Sequence, residues 1–327
     1  MHNYLKKSRK DKLLRVYKNN MKKSVIFPGQ GAQRPTMGKD YYDEFQIARE
    51  IYDKASEAIQ EDIKKICFEE DDRLNLTEYT QPCILTTEIA MLEVIKKEFG
   101  FNPEIYAGHS LGEYTALTAA GVMPFESAVK IVKKRGSLMQ SAVPEGKGTM
   151  AALIADNIPI DIVKNSCDSN SITMANINSK SQIVISGGVE ETKKTCEELE
   201  KKIEGLGVIY LNVSAPFHSS LMRGIEDEFK SVLNGFEEVF NKENSVHVLS
   251  NFTGTYHLPD TLIENLVRQI SGSVKWLDNM SEIMNASNEI YEIGPNKPLG
   301  KFFKTVGGEV SSIINLRGAR STFEKKE

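Results

Sequence analysis

A serine at the tip of a tight turn is the residue of this chain best placed to do chemistry. It lies in Gly108-His109-Ser110-Leu111-Gly112, after an apolar run at 105–107 that reads as a strand and before a small-residue stretch at 113–120 that reads as a helix. The glycines let the backbone turn sharply enough to push the Ser110 hydroxyl out of the sheet, and the helix N-terminus aims unpaired N–H groups at the same place. The pattern predicts a nucleophile elbow with an oxyanion site. The alternative is a glycine-rich turn with an incidental serine.

His218 is the second residue that could take part in serine chemistry. It follows a predicted strand and precedes a predicted helix that Ser219 or Ser220 could cap, and the positive end of that helix favours a neutral, proton-accepting imidazole. Ser110 and His218 are 108 residues apart, so a dyad requires the fold to bring them together. Because no acid stands out as a third member, a main-chain carbonyl would have to orient the imidazole. The alternative is a structural or surface histidine.

A charged residue interrupts the apolar face of the helix predicted at 126–143. Arg135 falls within this face, between Ile131 and Leu138. A guanidinium there must either extend its charged end to solvent or meet an anion. Beside a nucleophile it would form a bidentate receptor for a carboxylate.

The composition favours a soluble globular enzyme. Of 327 residues, 40% are hydrophobic and 26% are charged, and no apolar run is long enough to span a bilayer. The four cysteines lack metal-ligand spacing and no secretory signal precedes them, so we expect reduced thiols, a cytoplasmic location and no metal.

Residues 1–23 form a basic segment within a chain whose net charge is −4. They carry nine Lys or Arg residues against one acid, Asp11. A basic arm of this kind could contact nucleic acid or anionic lipid. We favour instead a disordered extension upstream of Met21, and we expect neither a nucleic-acid nor a membrane partner.

The order of predicted elements changes along the chain. Strand and helix patterns alternate at 24–27, 41–66, 86–99 and 105–120, which is typical of an α/β domain with a mainly parallel sheet. Between 146 and 213 the order becomes βαββαβ, with helices at 160–167 and 190–203. We therefore predict an α/β-hydrolase-like large domain (24–145 and 214–318), an inserted ferredoxin-like small subdomain (146–213), a loose tail (319–327) and an active site in the cleft between the two units.

Six segments carry a resemblance to a known family. They are Phe27-Pro28-Gly29-Gln30-Gly31-Ala32-Gln33, Tyr79-Thr80-Gln81-Pro82, 108–114, 134–140, 215–222 and Glu292-Ile293-Gly294-Pro295. In this order, over about residues 24–318, they resemble the successive signatures of malonyl-CoA:acyl carrier protein transacylases and of the acyltransferase domains of polyketide synthases.

The resemblance implies a role for individual residues. It implies Ser110 as the nucleophile, His218 as the general base and Arg135 as the group that holds the malonyl carboxylate. It further implies backbone amides of Gln30 and Leu111 in the oxyanion hole, a backbone carbonyl of Gln269 that orients the histidine, and Asn178 as a substrate-binding residue that lines the cleft.

The activity implied is ping-pong transfer of a malonyl group from malonyl-CoA to the phosphopantetheine thiol of an acyl carrier protein, for fatty acid or polyketide synthesis. The enzyme would need no cofactor, since malonyl-CoA is a substrate, and would act as a monomer. Two alternatives are a proofreading acyl hydrolase of the same fold and a non-catalytic module that docks carrier proteins. Arg135 disfavours the hydrolase, and the presence of both Ser110 and His218 disfavours the docking module.

Overall fold

The structure is a computed structural model that describes residues 22–213 and 215–324. Residues 1–21 of the basic segment, Met21 included, lie outside the described residues, and so do the last three residues of the predicted tail. Residues 319–323 of that predicted tail belong to the helix Leu316–Phe323. In the part of the chain that is described, no helix is long and apolar enough to cross a membrane.

The described strands fall into two sheets. In chain order they are β1 (Lys23–Phe27), β2 (Ile105–Gly108), β3 (Gly148–Ile154), β4 (Thr173–Ser179), β5 (Gln182–Gly188), β6 (Gly207–Tyr210), β7 (Glu289–Ile293) and β8 (Ser311–Ile313). The first sheet has the order β2-β1-β7-β8 and is parallel throughout. The second has the order β4-β5-β3-β6 and is antiparallel throughout.

The helices cover the parallel sheet and one face of the antiparallel sheet. They are α1 (Lys39–Glu44), α2 (Gln46–Ile59), α3 (Ile63–Phe68), α4 (Thr77–Phe99), α5 (Leu111–Ala119), α6 (Phe125–Ser141), α7 (Ile160–Ser169), α8 (Val189–Lys202), α9 (Glu226–Asn234), α10 (Leu262–Ser271), α11 (Trp276–Ala286), α12 (Leu299–Lys304) and α13 (Leu316–Phe323). Short 3-10 helices lie at Asp72–Asn75, Ser220–Ile225, Glu237–Val239, Lys242–His247 and Pro259–Thr261.

The large unit is built around β1 and the long helix α4. Val25, Ile26 and Phe27 of β1 are all fully buried, because helices cover both faces of a parallel sheet. Helix α4 is buried over most of its length and packs against α6. It begins at Thr77, earlier than the predicted 86, and the helical pattern at 41–66 is divided among α1, α2 and α3.

The small unit has the predicted βαββαβ order, with α7 between β3 and β4 and α8 between β5 and β6. It has a hydrophobic core of its own, which includes Leu153, Ile183 and Ile185. β6 ends at Tyr210, before the predicted 213. Its strands form a sheet of their own, and a parallel bridge between Asn176 and Val274 joins it to the large unit. The predicted α/β fold class is confirmed, since a parallel sheet covered by helices carries a separate antiparallel subdomain.

Candidate active site

Ser110 lies at a strained turn between β2 and α5. Its φ is 53° and its ψ is −102°, a conformation that a residue with a side chain rarely adopts. The glycines on either side are required by close packing. A Cβ on Gly108 would lie 2.0 Å from the backbone of Gly112, and one on Gly112 would lie 2.2 Å from the carbonyl oxygen of Phe27. The helix can therefore begin directly against β1, which leaves the serine side chain at the surface of the cleft.

His218 is in hydrogen-bond contact with this serine. Its Nε2 lies 2.7 Å from Ser110 Oγ, and its Nδ1 lies 2.8 Å from the backbone carbonyl oxygen of Gln269. Since a carbonyl only accepts hydrogen bonds, Nδ1 carries the proton and Nε2 presents a lone pair to the serine. The expectation that Ser219 or Ser220 caps the next helix is wrong: Ser219 precedes the 3-10 helix Ser220–Ile225, but its Oγ donates to the carbonyl of Pro216 and makes no cap hydrogen bond.

Burial and charge keep this imidazole neutral. Removal from solvent, followed by the positive charge of Arg135, lowers the pKa of His218 to about 3. The side chain is therefore a free base at neutral pH, as a group that takes a proton from a serine must be.

Arg135 is buried at the floor of the cleft and does not extend to solvent. Only 1% of its surface is exposed, and its guanidinium lies over the ring of Tyr114 at 5.1 Å. It donates to Gln81 Oε1 at 2.9 Å, to Gln269 Oε1 at 2.7 Å and to Ser110 Oγ at 3.2 Å. These hydrogen-bond partners are neutral, so the guanidinium keeps a positive charge that a substrate anion next to the serine can meet.

The two residues whose backbone amides are expected in the oxyanion hole, Gln30 and Leu111, belong to segments that pack at the elbow. Leu111 is the first residue of α5, so its N–H has no acceptor within the helix. Gln30 belongs to the loop after β1, and this loop packs against the elbow: a Cβ on Gly29 would lie 2.4 Å from the carbonyl oxygen of His109. Gln30 and Leu111 both line the cavity that contains Ser110.

The cavity is a cleft of about 670 Å³ between the two units. The large unit contributes Ser110, Arg135 and His218, and the small unit contributes Met150 and Asn176. The walls are completed by Gln30, Gly31, Gln33, Asn75, Gln81, His109, Leu111, Met139, Glu145, 211–213 and Phe217.

Asn178 takes a place other than the one expected. It is buried, its Oδ1 lies 2.8 Å from His109 Nε2, and its Nδ2 donates to Gln182 Oε1 at 2.8 Å. Asn176 of the same strand lines the cavity instead, and the pairing of β4 with β5 shifts register on both sides of it, between 174 and 176 and between 177 and 179. Asn178 therefore reaches the site through His109, which does line the cavity.

Sequence reasoning missed two buried polar residues behind the serine. Asn251 accepts the backbone N–H of Ser110 at 2.6 Å and donates to the carbonyl of Gly108 at 2.8 Å. Glu113, in the first turn of α5, accepts from Gln269 Nε2 at 2.7 Å and lies 2.7 Å from Nε2 of His257. An acid within a helix of small and apolar residues was the available signal for Glu113, whereas Asn251 lies in a loop that no pattern singled out.

Comparison with known proteins agrees with this geometry. A family model described as an acyl transferase domain matches residues 25–274. The malonyl CoA-acyl carrier protein transacylase of Staphylococcus aureus strain MRSA252 is 39% identical over 312 residues, which are 91% of this chain and 97% of that protein.

Solved structures extend the likeness to the whole fold. The crystal structure of the malonyl CoA-acyl carrier protein transacylase of Clostridium perfringens is 35% identical, with a TM-score of 0.86 over 93% of this chain and 96% of that one. A malonyl-transacylase in complex with its type II polyketide synthase acyl-carrier protein is 28% identical, with a TM-score of 0.85 over 93% of this chain and all of that one. With a serine elbow, a paired histidine and a buried arginine in one cleft, this chain belongs to the malonyl CoA-acyl carrier protein transacylase family of acyl transferases.

Proposed function

We propose that this protein transfers the malonyl group of malonyl-CoA to the phosphopantetheine thiol of an acyl carrier protein, for fatty acid or polyketide synthesis. One observation carries the proposal: Ser110 Oγ lies 2.7 Å from His218 Nε2 and 3.2 Å from the Arg135 guanidinium. A nucleophile flanked by a neutral base and a buried cation suits an acyl group that ends in a carboxylate.

In the first half-reaction, Ser110 Oγ attacks the thioester carbonyl carbon while His218 Nε2 takes the hydroxyl proton. The tetrahedral oxyanion is held by the backbone N–H groups of Gln30 and Leu111. The carbon–sulfur bond then breaks, the protonated His218 returns its proton to the CoA sulfur, and a malonyl ester remains on Ser110. Arg135 holds the free carboxylate of the malonyl group throughout.

The second half-reaction runs the same steps in reverse with a different thiol. The carrier protein's phosphopantetheine thiol gives its proton to His218 and attacks the ester carbonyl. The carbon–oxygen bond breaks, Ser110 recovers its proton, and the malonyl thioester leaves with the carrier protein.

All these catalytic groups come from one chain, which supports a monomeric enzyme. The four cysteine thiols are free and buried, which supports a reducing, cytoplasmic setting.

Arg135 also argues against the proofreading hydrolase. An enzyme that clears neutral acyl chains gains nothing from a buried cation beside its nucleophile, and a buried cation is costly to maintain. The Ser110–His218 contact argues against a purely docking role, because binding alone requires neither a serine with a strained, positive-φ backbone nor a neutral imidazole.

Intact mass spectrometry tests the proposal directly. After incubation with malonyl-CoA, the wild-type protein should gain the mass of one malonyl group, and Ser110→Ala should gain none. Addition of a carrier protein that bears phosphopantetheine should move the adduct to the carrier. An adduct on Ser110→Ala would identify another nucleophile, and release of free malonate despite the carrier would favour a hydrolase.

A further inference from the structure

Glu113 is a fully buried acid behind the nucleophile to which the proposed reaction assigns no role. One carboxylate oxygen, Oε1, lies 2.7 Å from Nε2 of His257, which is itself fully buried. The other, Oε2, accepts from Gln269 Nε2 at 2.7 Å and from the backbone N–H of Asn251 at 3.1 Å. A buried carboxylate with three partners is costly to lose, and each of those partners restricts how it can be oriented.

The first chain of contacts runs from Glu113 through Gln269 to the backbone of Ser110 and to the guanidinium of Arg135. The Gln269 amide nitrogen donates to Glu113 and, at 2.9 Å, to the carbonyl of Ser110. Its amide oxygen accepts from Arg135 at 2.7 Å.

The orientation of this amide follows from its partners. A flipped amide would place its oxygen against a carboxylate and a carbonyl, and its NH₂ against a guanidinium, which has only donors. The backbone carbonyl of the same residue accepts from Nδ1 of His218. One residue therefore orients both the base and the arginine.

The second chain of contacts runs from Glu113 through Asn251 to the nucleophile. Glu113 accepts the backbone N–H of Asn251, and the Asn251 side chain accepts the backbone N–H of Ser110 at 2.6 Å. The same side chain donates to the carbonyl of Gly108, at the other end of the elbow. Glu113 is thus linked to the strained, positive-φ backbone of Ser110 as well as, through Gln269, to Arg135.

We propose that Glu113, held by His257, is a positioning residue that sets the selectivity for an anionic acyl group by fixing Gln269 against Arg135; this inference rests on the proposed function. Glu113 balances the charge of the arginine through an intervening amide and does not pair with it directly. A direct carboxylate–guanidinium pair would occupy the donors that the substrate's carboxylate needs. The amide oxygen accepts from Nη2 of Arg135, and the same nitrogen also donates to Ser110 Oγ, where the acyl group would be attached.

The variant Glu113→Gln tests the inference with little change of shape. The glutamine has no negative charge, and where its NH₂ faces Gln269 it removes one of the two acceptors that fix the Gln269 amide, so the acceptor of Arg135 is held less firmly. We expect the ratio of kcat/KM for malonyl-CoA over acetyl-CoA to fall about tenfold, through a higher KM for malonyl-CoA, the effect of one lost buried hydrogen bond. Glu88→Gln, at a buried acid on α4 outside this network, should leave the ratio unchanged.

A double-mutant cycle separates positioning from general damage. Gln269→Leu keeps the backbone carbonyl that orients His218 but removes the side chain, and it should lower the ratio by itself. In that background Glu113→Gln should lower it no further, because the effect passes through the missing amide. If Glu113→Gln does not fold, Gln269→Leu still tests the inference. An unchanged malonyl-to-acetyl ratio of kcat/KM in Gln269→Leu overturns it.

The outcomes also distinguish this inference from the proposed function. A wild-type protein that forms no malonyl adduct overturns the proposed function. A wild-type protein that prefers malonyl-CoA, together with a Glu113→Gln protein that keeps the preference or loses both activities equally, overturns the inference alone.

Discussion

Ser110 and His218 both have a positive φ, of 53° and 55°, and their reacting atoms are 2.7 Å apart. A non-glycine residue with a positive φ costs about 1–3 kcal/mol, which the surrounding structure must supply. The Asn251 contacts at the elbow and the Gln269 carbonyl at the imidazole supply it here. Two of the five described non-glycine residues with a positive φ are thus the groups that would exchange a proton.

The pH dependence of acylation should reflect the low pKa of His218. Burial and the charge of Arg135 lower this pKa to about 3, so the imidazole stays a free base well below neutrality. We expect kcat/KM for acylation by malonyl-CoA to be level from pH 8 down to about 5, since kcat/KM reports the free enzyme's base. Rapid-quench intact mass spectrometry across this range measures it. A loss of rate centred near pH 6.5 would contradict the prediction.

The elements close to the site follow from local patterns in the sequence. The glycines around Ser110, the strand before it and the helix after it are adjacent in the chain, so spacing alone identifies the elbow. Arg135 stands out in the sequence because a charge on an apolar helix face must either extend to solvent or meet an anion. Its burial shows that it does not extend to solvent.

The contacts that complete the site lie beyond such patterns. Asn251 is 141 residues from Ser110, and His257 is 144 residues from Glu113. Each meets its partner only because strands and helices distant in sequence pack together, and a polar residue in a loop carries no periodic signal. For the same reason, the register shifts of β4 near Asn176 and Asn178 have no local signature.

Gly112→Ala should disrupt the elbow. The added methyl group would lie 2.2 Å from the Phe27 carbonyl oxygen, so α5 would have to move away from β1. We expect a loss of at least about 1–3 kcal/mol in the free energy of unfolding, together with slower acylation. Gly224→Ala is the matched control, since nothing lies within 4 Å of its added Cβ. Urea unfolding of the two variants decides, and equal midpoints would contradict the prediction.

Glu88→Gln should alter how stability depends on pH. Glu88 is fully buried and its Oε2 accepts from Thr115 at 2.6 Å; burial, with a further contribution from Glu292, raises its pKa well above the ordinary value. The folded protein therefore holds a proton that the unfolded chain releases above about pH 4.5, so the wild type loses stability as pH rises beyond that point. The glutamine has no proton to lose.

Thermal unfolding at a series of pH values from 5 to 8 measures this difference. The Tm of Glu88→Gln relative to wild type should increase towards pH 8, because the destabilising term is present only in the wild type. Two profiles that run parallel over the whole range would show that Glu88 is ionised in the folded protein, contrary to what its burial implies.

Arg135→Ala should change which acyl group the enzyme accepts. The guanidinium has neutral hydrogen-bond partners and lies 3.2 Å from the nucleophile, so its charge is available to a carboxylate on the acyl group. Its removal should lower kcat/KM for malonyl-CoA by a hundredfold or more, about 3 kcal/mol, while acetyl-CoA is spared or improved. Arg135→Lys should recover only part of the loss, because an ammonium cannot present two parallel donors. The measurement is the malonyl-to-acetyl ratio of kcat/KM in the three proteins, and a ratio that stays the same would remove the physical basis for assigning a malonyl substrate.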